Sequence, residues 1–524
     1  MTNVLEARGI FWWHSTPVPA GHFAPDASVY GTLVITADGK ISLDLDGTMP
    51  GGKRLERILP GGEGQPVEMG IQGILKGLKS YVLLQGMTSD GGGFSTGGMS
   101  YERYLASTCI VGPTEIPYSE QPLNFTRLII SLRGFEGWTS LRSIEGFWQE
   151  SDLTIRYVKP ESLSFDVVGG KLSVNHYVKA PFVSDARPRK FNRIALEEQS
   201  ELIYEPSESC SLEEMMKRFH LISDLLNLLA DTTFQLDWPS LKADGIEGGL
   251  PYKLYFGRRT TDAEPPRFTD SWALLPSIKN DFGTIFSNWI EKRERYGPGY
   301  YLFLGTRRGL DLYIEHHFVN LIWGIEALHR RQPTEVGVTS KMEEMVERIL
   351  TEVTRNADRK WLKGKLKHAG EPNLEQRIFE TFSRLPFTLP AKELRLFATS
   401  CANRRNDISH FGGQRPGGDY SEFLSELDLK NQALAYLVHA YILFDIGVPS
   451  ETLNFWFFDG PKSYQITELL RAAGLRSLAR LPSTNEVSPP KAGDVLDQSS
   501  AQPESAVVAN SANQSDPKCD HGNH

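Results

Sequence analysis

Over the first two hundred or so positions, from Met1 to about Ile203, short β-branched and aromatic runs alternate with glycine, proline and aspartate turns. Residues 30–36 and 41–45, joined through Ala37-Asp38-Gly39-Lys40, predict two strands around an Asp-Gly turn. Further strands are expected at 80–84, 125–132 and 172–178, and many short strands with few helical periods predict a β-rich, sandwich-like region over residues 1–205. From Cys210 the period lengthens. Leu212, Met215, Met216, Phe219, Ile222, Leu226 and Leu229 share one helix face, with Ser211 as N-cap and Glu214 as its capping-box partner. A strand at Tyr252–Phe256 and a helix through Ile285, Trp289 and Ile290 complete a mixed connecting segment, 206–300, expected to dock the two halves together.

Residues 301–455 read as helical throughout. Ile314, Phe318, Leu321, Ile322 and Ile325 mark a first helix, apolar almost all round and therefore buried or facing a partner subunit. Met342, Met345, Val346, Ile349, Leu350 and Val353 mark a second, and Leu374, Ile378 and Phe382 a third that Pro386 stops. Leu394, Phe397, Ala398, Cys401 and Ile408 mark a fourth, ended by Gly412-Gly413. Leu434, Leu437, Val438, Tyr441 and Ile442 mark the last, closed by Gly447 and Pro449. A short extension, 456–480, precedes a tail, 481–524, rich in Ser, Pro, Asn, Gln and Ala and expected to be disordered; Cys519, His521 and His524 within it are read as solvated. The fold class is α+β and multidomain, β-rich first and all-α second.

Composition changes this picture little. The chain has 524 residues, enough for two or three domains, and 40% apolar with 23% charged residues is ordinary for a globular protein. A net charge of -9 argues against wholesale coating of nucleic acid, so any RNA contact needs a local basic patch. The four cysteines, Cys109, Cys210, Cys401 and Cys519, form no C-x2-C pair and fit a reducing compartment. No run approaches the roughly 18 apolar residues of a membrane span, and a cytoplasmic location with no membrane contact is expected. Gly47 to Arg54 matches G-x4-G-K spacing, yet Arg54 stands where a magnesium-binding Ser or Thr belongs, so no nucleotide-binding P-loop is expected. The glycine-rich stretch 89–100 reads as a mobile loop.

The candidate chemistry lies in Arg404-Arg405-Asn406-Asp407-Ile408-Ser409-His410, at the end of the fourth helix. Asn406 is one turn before His410 on the same face, and Arg405 is five residues before it, about 140° around an ideal helix. A guanidinium that forks onto phosphate and an imidazole that titrates near neutrality are what RNA cleavage without a metal requires. The spacing alone is equally that of surface cations and a helix-capping histidine. Its setting between two long apolar helices makes Arg-Asn-x3-His resemble the signature of HEPN ribonucleases, in particular the ApeA-like group of anti-phage proteins. The first half resembles the N-terminal domain of that group, through Phe11-Trp12-Trp13, the hairpin at Gly31, the strand after Ile74, and Phe135-Glu136-Gly137-Trp138.

The resemblance implies a C-terminal HEPN helical bundle acting as a metal-independent endoribonuclease on tRNA or other cellular RNA, arresting translation on infection. It implies His410 as general acid or base, Arg405 as phosphate clamp and Asn406 as the orienting group, with Arg404 an alternative arginine and Glu326 an accessory group. It further implies a homodimer with two motifs at one cleft, and the β-rich half as sensor of a phage-derived trigger. No cofactor or metal is expected; His316, His317 and His329 match no ligand spacing. Arg355, Arg359, Lys360, Trp361, Lys363, Lys365 and Lys367 supply a basic, aromatic stretch suited to an RNA strand. The competing reading is a catalytically silent HEPN dimerisation or RNA-binding scaffold with a ligand-sensing N-terminal domain.

Overall fold

The computed structural model describes residues 2–481 except 52–65, 68–69, 78–79, 94, 96, 119–122, 142, 151, 180–195, 246–249, 308–311, 333–338, 367–370 and 414–417. The tail beyond residue 481, with its expected disorder, lies outside the described residues, as do Gly52 to Arg54 of the glycine-rich G-x4-G-K stretch.

Alternating side chains build the first half. Strands β1 (Asn3–Trp13), β2 (Val29–Thr36), β3 (Ile41–Leu45), β4 (Pro66–Val67), β5 (Ile71–Leu75), β6 (Ser80–Gly93) and β7 (Tyr101–Gly112) are antiparallel, and the pairing of β7 with both β3 and β6 closes a ring in the order β7-β3-β2-β1-β5-β6. Its interior is filled by every second residue, among them Phe11, Leu33, Ile35, Leu43, Leu84 and Tyr104. The expected sandwich is therefore a small closed barrel that continues into an open sheet. The length of β7 lets it serve three neighbours: β3 on its first half, β16 (Tyr252–Phe256) on its second, and β6 along its length. The glycine-rich stretch is a correction. Residues 89–93 extend β6, with Gly93 paired to Tyr101 after a bulge, because a Cβ at Gly93 would strike the Tyr101 ring at 2.6 Å.

Past the barrel the sheet runs β16-β15-β8-β13-β12-β11, with β8 at Asn124–Ser131, β11 at Leu163–Val167, β12 at Gly170–Lys179, β13 at Glu197–Pro206 and β15 at Ser240–Ala243, and the two-residue β14 (Cys210–Ser211) also pairs with β8. Residues 240–256, expected in a connecting segment, thus sit inside the N-terminal sheet. Two strands, β9 (Ile144–Gln149) and β10 (Asp152–Tyr157), pair only with each other among the described residues and leave Phe147, Trp148, Leu153 and Ile155 exposed. Helix α1 (Glu136–Thr139) is a single turn that buries Trp138, whose indole donates to the Ala273 carbonyl at 2.7 Å. Helix α2 (Leu212–Leu229) is capped by the Ser211 hydroxyl, which accepts from the Glu214 N–H.

After the one-turn α3 (Leu275–Ile278) come α4 (Phe282–Tyr296), α5 (Pro298–Arg307), α6 (Ile314–Arg331), α7 (Thr339–Glu352), α8 (Asn356–Leu366), α9 (Leu374–Phe382), α10 (Ala391–Phe411), α11 (Tyr420–Asp445), α12 (Ser450–Phe458) and α13 (Ser463–Ala472). Helix α11 is buried on nearly all sides over its second half and forms the axis of the bundle. Glycines let α5 and α6 pack closely: a Cβ at Gly299 would lie 2.4 Å from Leu328. The apolar face expected on α7 is only partly used, since Leu350 is buried while Met345 and Ile349 are exposed. One apolar core runs from Phe125 and Leu202 in the sheet through Trp289 and Ile322 to Leu470. Polar groups lock the same junction. Asn288 donates to the Ile446 carbonyl at 3.0 Å, Lys292 pairs with Asp445 at 3.0 Å, and His439 reaches the Leu228 carbonyl at 2.8 Å. No described helix is long and apolar enough to cross a membrane.

Candidate active site

Helix α10 ends where the sequence pattern stops it. Gly412 adopts the left-handed conformation, φ 71°, and its N–H bonds the Ile408 carbonyl at 3.0 Å. This places His410 in the last turn, exposed beside the carbonyl end of the helix. Arg404, Arg405, Asn406 and His410 all lie on this last stretch of α10, and their surroundings differ sharply.

Arg404 is engaged by protein. Its guanidinium bonds Glu426 on α11, lies 3.2 Å from the carboxylate of buried Asp407, and sits 5.5 Å from the centre of the Phe423 ring. Lys430, one turn along α11, holds the other Glu426 oxygen at 3.0 Å, and Ser400 adds a weaker bond at 3.4 Å. Burial pushes the Glu426 carboxyl up, but the bonds from Arg404 and Lys430 outweigh it and bring the group below its usual range. Burial likewise opposes the Arg404 charge, and Glu426 and Asp407 more than restore it. The network is a brace between α10 and α11. It was legible only in part: Arg404 and Asp407 are an i, i+3 pair, whereas Glu426 and Lys430 lie across a turn that no sequence spacing connects to them.

Arg405 is half-buried, and among the described residues its one bond is from Nη1 to the amide oxygen of Asn406 at 3.3 Å. Its Nε is buried without a partner, and among the described residues no carboxylate pairs with it. Asn406 is exposed. One free guanidinium, one exposed imidazole and one amide thus share a helix end, with Tyr420 at the start of α11 bonded to Glu315 of α6 at 2.5 Å and stacked on Phe423. Cys401, in the same helix, is buried and its thiol is pushed up to about 12, which removes it as a nucleophile.

The remaining sequence candidates lie elsewhere. Glu326 on α6 pairs with Arg330 at 3.0 Å in a surface cluster that continues through Glu371 to buried Arg377, so a salt-bridged role describes it. His329 meets that cluster through Arg377, Nη1 to Nδ1 at 3.5 Å, and pairs with Glu380 at 2.6 Å; His317 bridges the Thr306 carbonyl and Asn431, and His316 is exposed beside Tyr313. The basic stretch occupies α8, a different helix from the motif. Trp361 is 64% exposed there, not tucked into the core, because α8 buries none of its residues. Arg359 donates to the Val353 carbonyl at 2.7 Å and closes the end of α7, while Arg355 is loosely paired with Asp358 at 3.9 Å. Lys360 and Lys363 make no ion pair among the described residues, and Lys367 lies outside them.

Two family models match the chain. The ApeA N-terminal domain 1 spans residues 6–289, over half of the sequence, and the Apea-like HEPN spans 319–452. The first takes in β15, β16 and most of α4, as the continuous sheet does. No curated protein and no solved structure matches. The barrel-and-sheet half followed by a helical bundle, and these two matches in that order, agree: the chain belongs to the ApeA-like HEPN family and carries the ApeA N-terminal domain ahead of its HEPN domain.

Proposed function

We propose that the HEPN domain is a metal-independent endoribonuclease of anti-phage defence that cleaves cellular RNA, tRNA among the candidates, to halt translation on infection. The observation that carries this reading is the contrast at the end of α10: Arg404 is consumed by Glu426 and Asp407, while Arg405 and His410 make no ion pair among the described residues. In the reaction, the 2′-hydroxyl loses its proton and attacks phosphorus, a new P–O2′ bond forms, and the P–O5′ bond breaks as O5′ gains a proton. The products are a 2′,3′-cyclic phosphate and a 5′-hydroxyl. His410 moves a proton, Arg405 stabilises the doubly charged phosphorane, and Asn406 orients the ring. One imidazole serves one of the two proton transfers at a time, so a second copy supplies the other across a homodimer. Lys360, Trp361 and Lys363 on α8 receive the RNA strand.

The test is cleavage of a labelled tRNA pool by purified protein in excess EDTA. Cleavage is expected to continue in the parent, to leave cyclic phosphate ends, and to fall by about 10²-fold or more in His410→Ala. Cleavage abolished by the chelator, or unchanged in His410→Ala, defeats the reading.

A further inference from the structure

A cavity of about 760 Å³ opens where the N-terminal sheet meets the helical half, within the roughly 300–1,000 Å³ typical of small-molecule sites. Its walls come from both halves: α2 with the segment that follows it, the chain leaving β16, α5, and His439 on α11. Three arginines, Arg258, Arg259 and Arg307, face it against two carboxylates, Asp224 and Asp262, and Asp224 is already paired with Arg293 at 2.6 Å. Arg258 lies flat on Trp238, 3.3 Å from the ring centre, and donates one Nη to the Leu236 carbonyl at 2.7 Å, but its Nε is buried without a partner. Burial lowers its proton affinity, to about 10, and Asp237 offsets only part of that cost. Arg307, across the cavity, is held by Asp231, and Arg259 stands exposed at the rim. The Asn227 side-chain oxygen is also buried without a partner. Apolar rings, Phe219, Phe234 and Phe256, line the rest.

A half-buried guanidinium whose burial cost Asp237 only partly offsets, and whose Nε has no partner, gains from an oxyanion with two acceptor oxygens through a forked contact. The unpartnered Asn227 oxygen calls for an N–H or O–H donor, and the aromatic wall for a flat apolar body. A ligand that brings all three is a nucleotide. We propose that this cavity is a binding site for a phosphorylated nucleoside, its phosphate on Arg258 and its base against the phenylalanine wall. The site joins the barrel-bearing half to the helices that carry the HEPN motif, and binding does not depend on the ribonuclease reading.

Gly305 on α5 provides a clean probe, because it lines the cavity and a Cβ there meets no atom within 4 Å. Gly305→Leu therefore starts from a Cβ in open space, carries an isobutyl group at the cavity wall and raises helix propensity. Titration calorimetry and thermal melts of the full chain are run with AMP, ATP, GTP, adenosine, ribose 5-phosphate and inorganic phosphate. At least one nucleotide is expected to bind and raise the melting temperature, with adenosine, ribose 5-phosphate and inorganic phosphate at least tenfold weaker. Gly305→Leu is expected to lose at least tenfold in nucleotide affinity at an unchanged or higher melting temperature, and Arg258→Gln to lose at least tenfold for nucleotides. The proposal is overturned if no nucleotide binds at millimolar concentration, if ribose 5-phosphate binds as tightly as the nucleotides, or if Gly305→Leu binds like the parent.

Discussion

Arg404 and Arg405 are adjacent in sequence but about 100° apart around α10, and that rotation separates a brace from a candidate catalytic group. Removing Arg404 takes from buried Asp407 and half-buried Glu426 a cation they share, while Lys430 still holds Glu426, a loss of about 2 kcal/mol. Arg404→Ala is thus expected to lower the melting temperature and denaturation midpoint clearly. Arg405→Ala, which breaks only a bond to the neighbouring exposed Asn406, should melt within about 0.5 kcal/mol of the parent. RNA cleavage by the stable Arg405→Ala protein should fall by about 10²-fold or more. Parent-like cleavage in Arg405→Ala would move the phosphate-clamp role to Arg404. The motif itself was legible, because helical spacing and the glycine stop fix where His410 sits. The choice between the arginines was not, because Glu426 and Lys430 reach the site from α11, across a loop of unconstrained length.

Helix α8 has no buried residue, so its side chains are available to solvent and to a polyanion alike. Lys360→Ala and Lys363→Ala should each leave folding unchanged and reduce the salt dependence of RNA affinity, by a slope of about 0.7 per lost phosphate contact on single-stranded RNA. An unaltered slope would remove α8 from the RNA path. The β9–β10 hairpin makes the opposite point about apolar residues. Trp148 and Leu153 are direct cross-strand partners, and Trp148 is 73% exposed, so their apolar character stabilises the hairpin and not the core. Trp148→Ser is expected to shift global stability by no more than about 0.5 kcal/mol, measured by urea denaturation; a larger loss would mean the hairpin is integral to the sheet's cooperativity. From sequence, this alternation was indistinguishable from that of a core strand, because alternation reports two faces and not what covers them.

At the scale of the whole molecule, the two halves share one core, and His439 is buried in it against Leu228, Trp272 and Phe303. Burial first, and the Arg307 charge second, hold its proton affinity well below the ordinary value of 6.5. The folded chain therefore resists a proton that the unfolded chain accepts, so this contribution to stability is present above about pH 6.5 and is lost as the pH falls below it. The slope for one such group is about 1.4 kcal/mol per pH unit, and His14 and His176, lowered chiefly by burial, act in the same direction. Melts between pH 7.5 and 5.5 should show destabilisation on acidification, reduced in His439→Phe; a flat profile in the parent would contradict a neutral, buried His439. The acid limit of the α10–α11 brace lies lower, because Glu426, depressed below its ordinary 4.5, keeps its charge until the pH falls beneath that value.

The sequence by itself determined the class and order of elements, the caps and stops of the helices and the position of the Arg-Asn-x3-His segment, because periodicity, capping and turn chemistry act over a few residues. Tertiary structure decided the rest. Whether the β-half closes depends on β7 pairing with strands on both sides. Whether residues 240–256 belong to that half depends on the β8 edge they complete. Which arginine at the end of α10 stays available is settled by a carboxylate one helix away. Each of these is a contact between residues distant along the chain, and local patterning carries no information about which distant group will fill a given face.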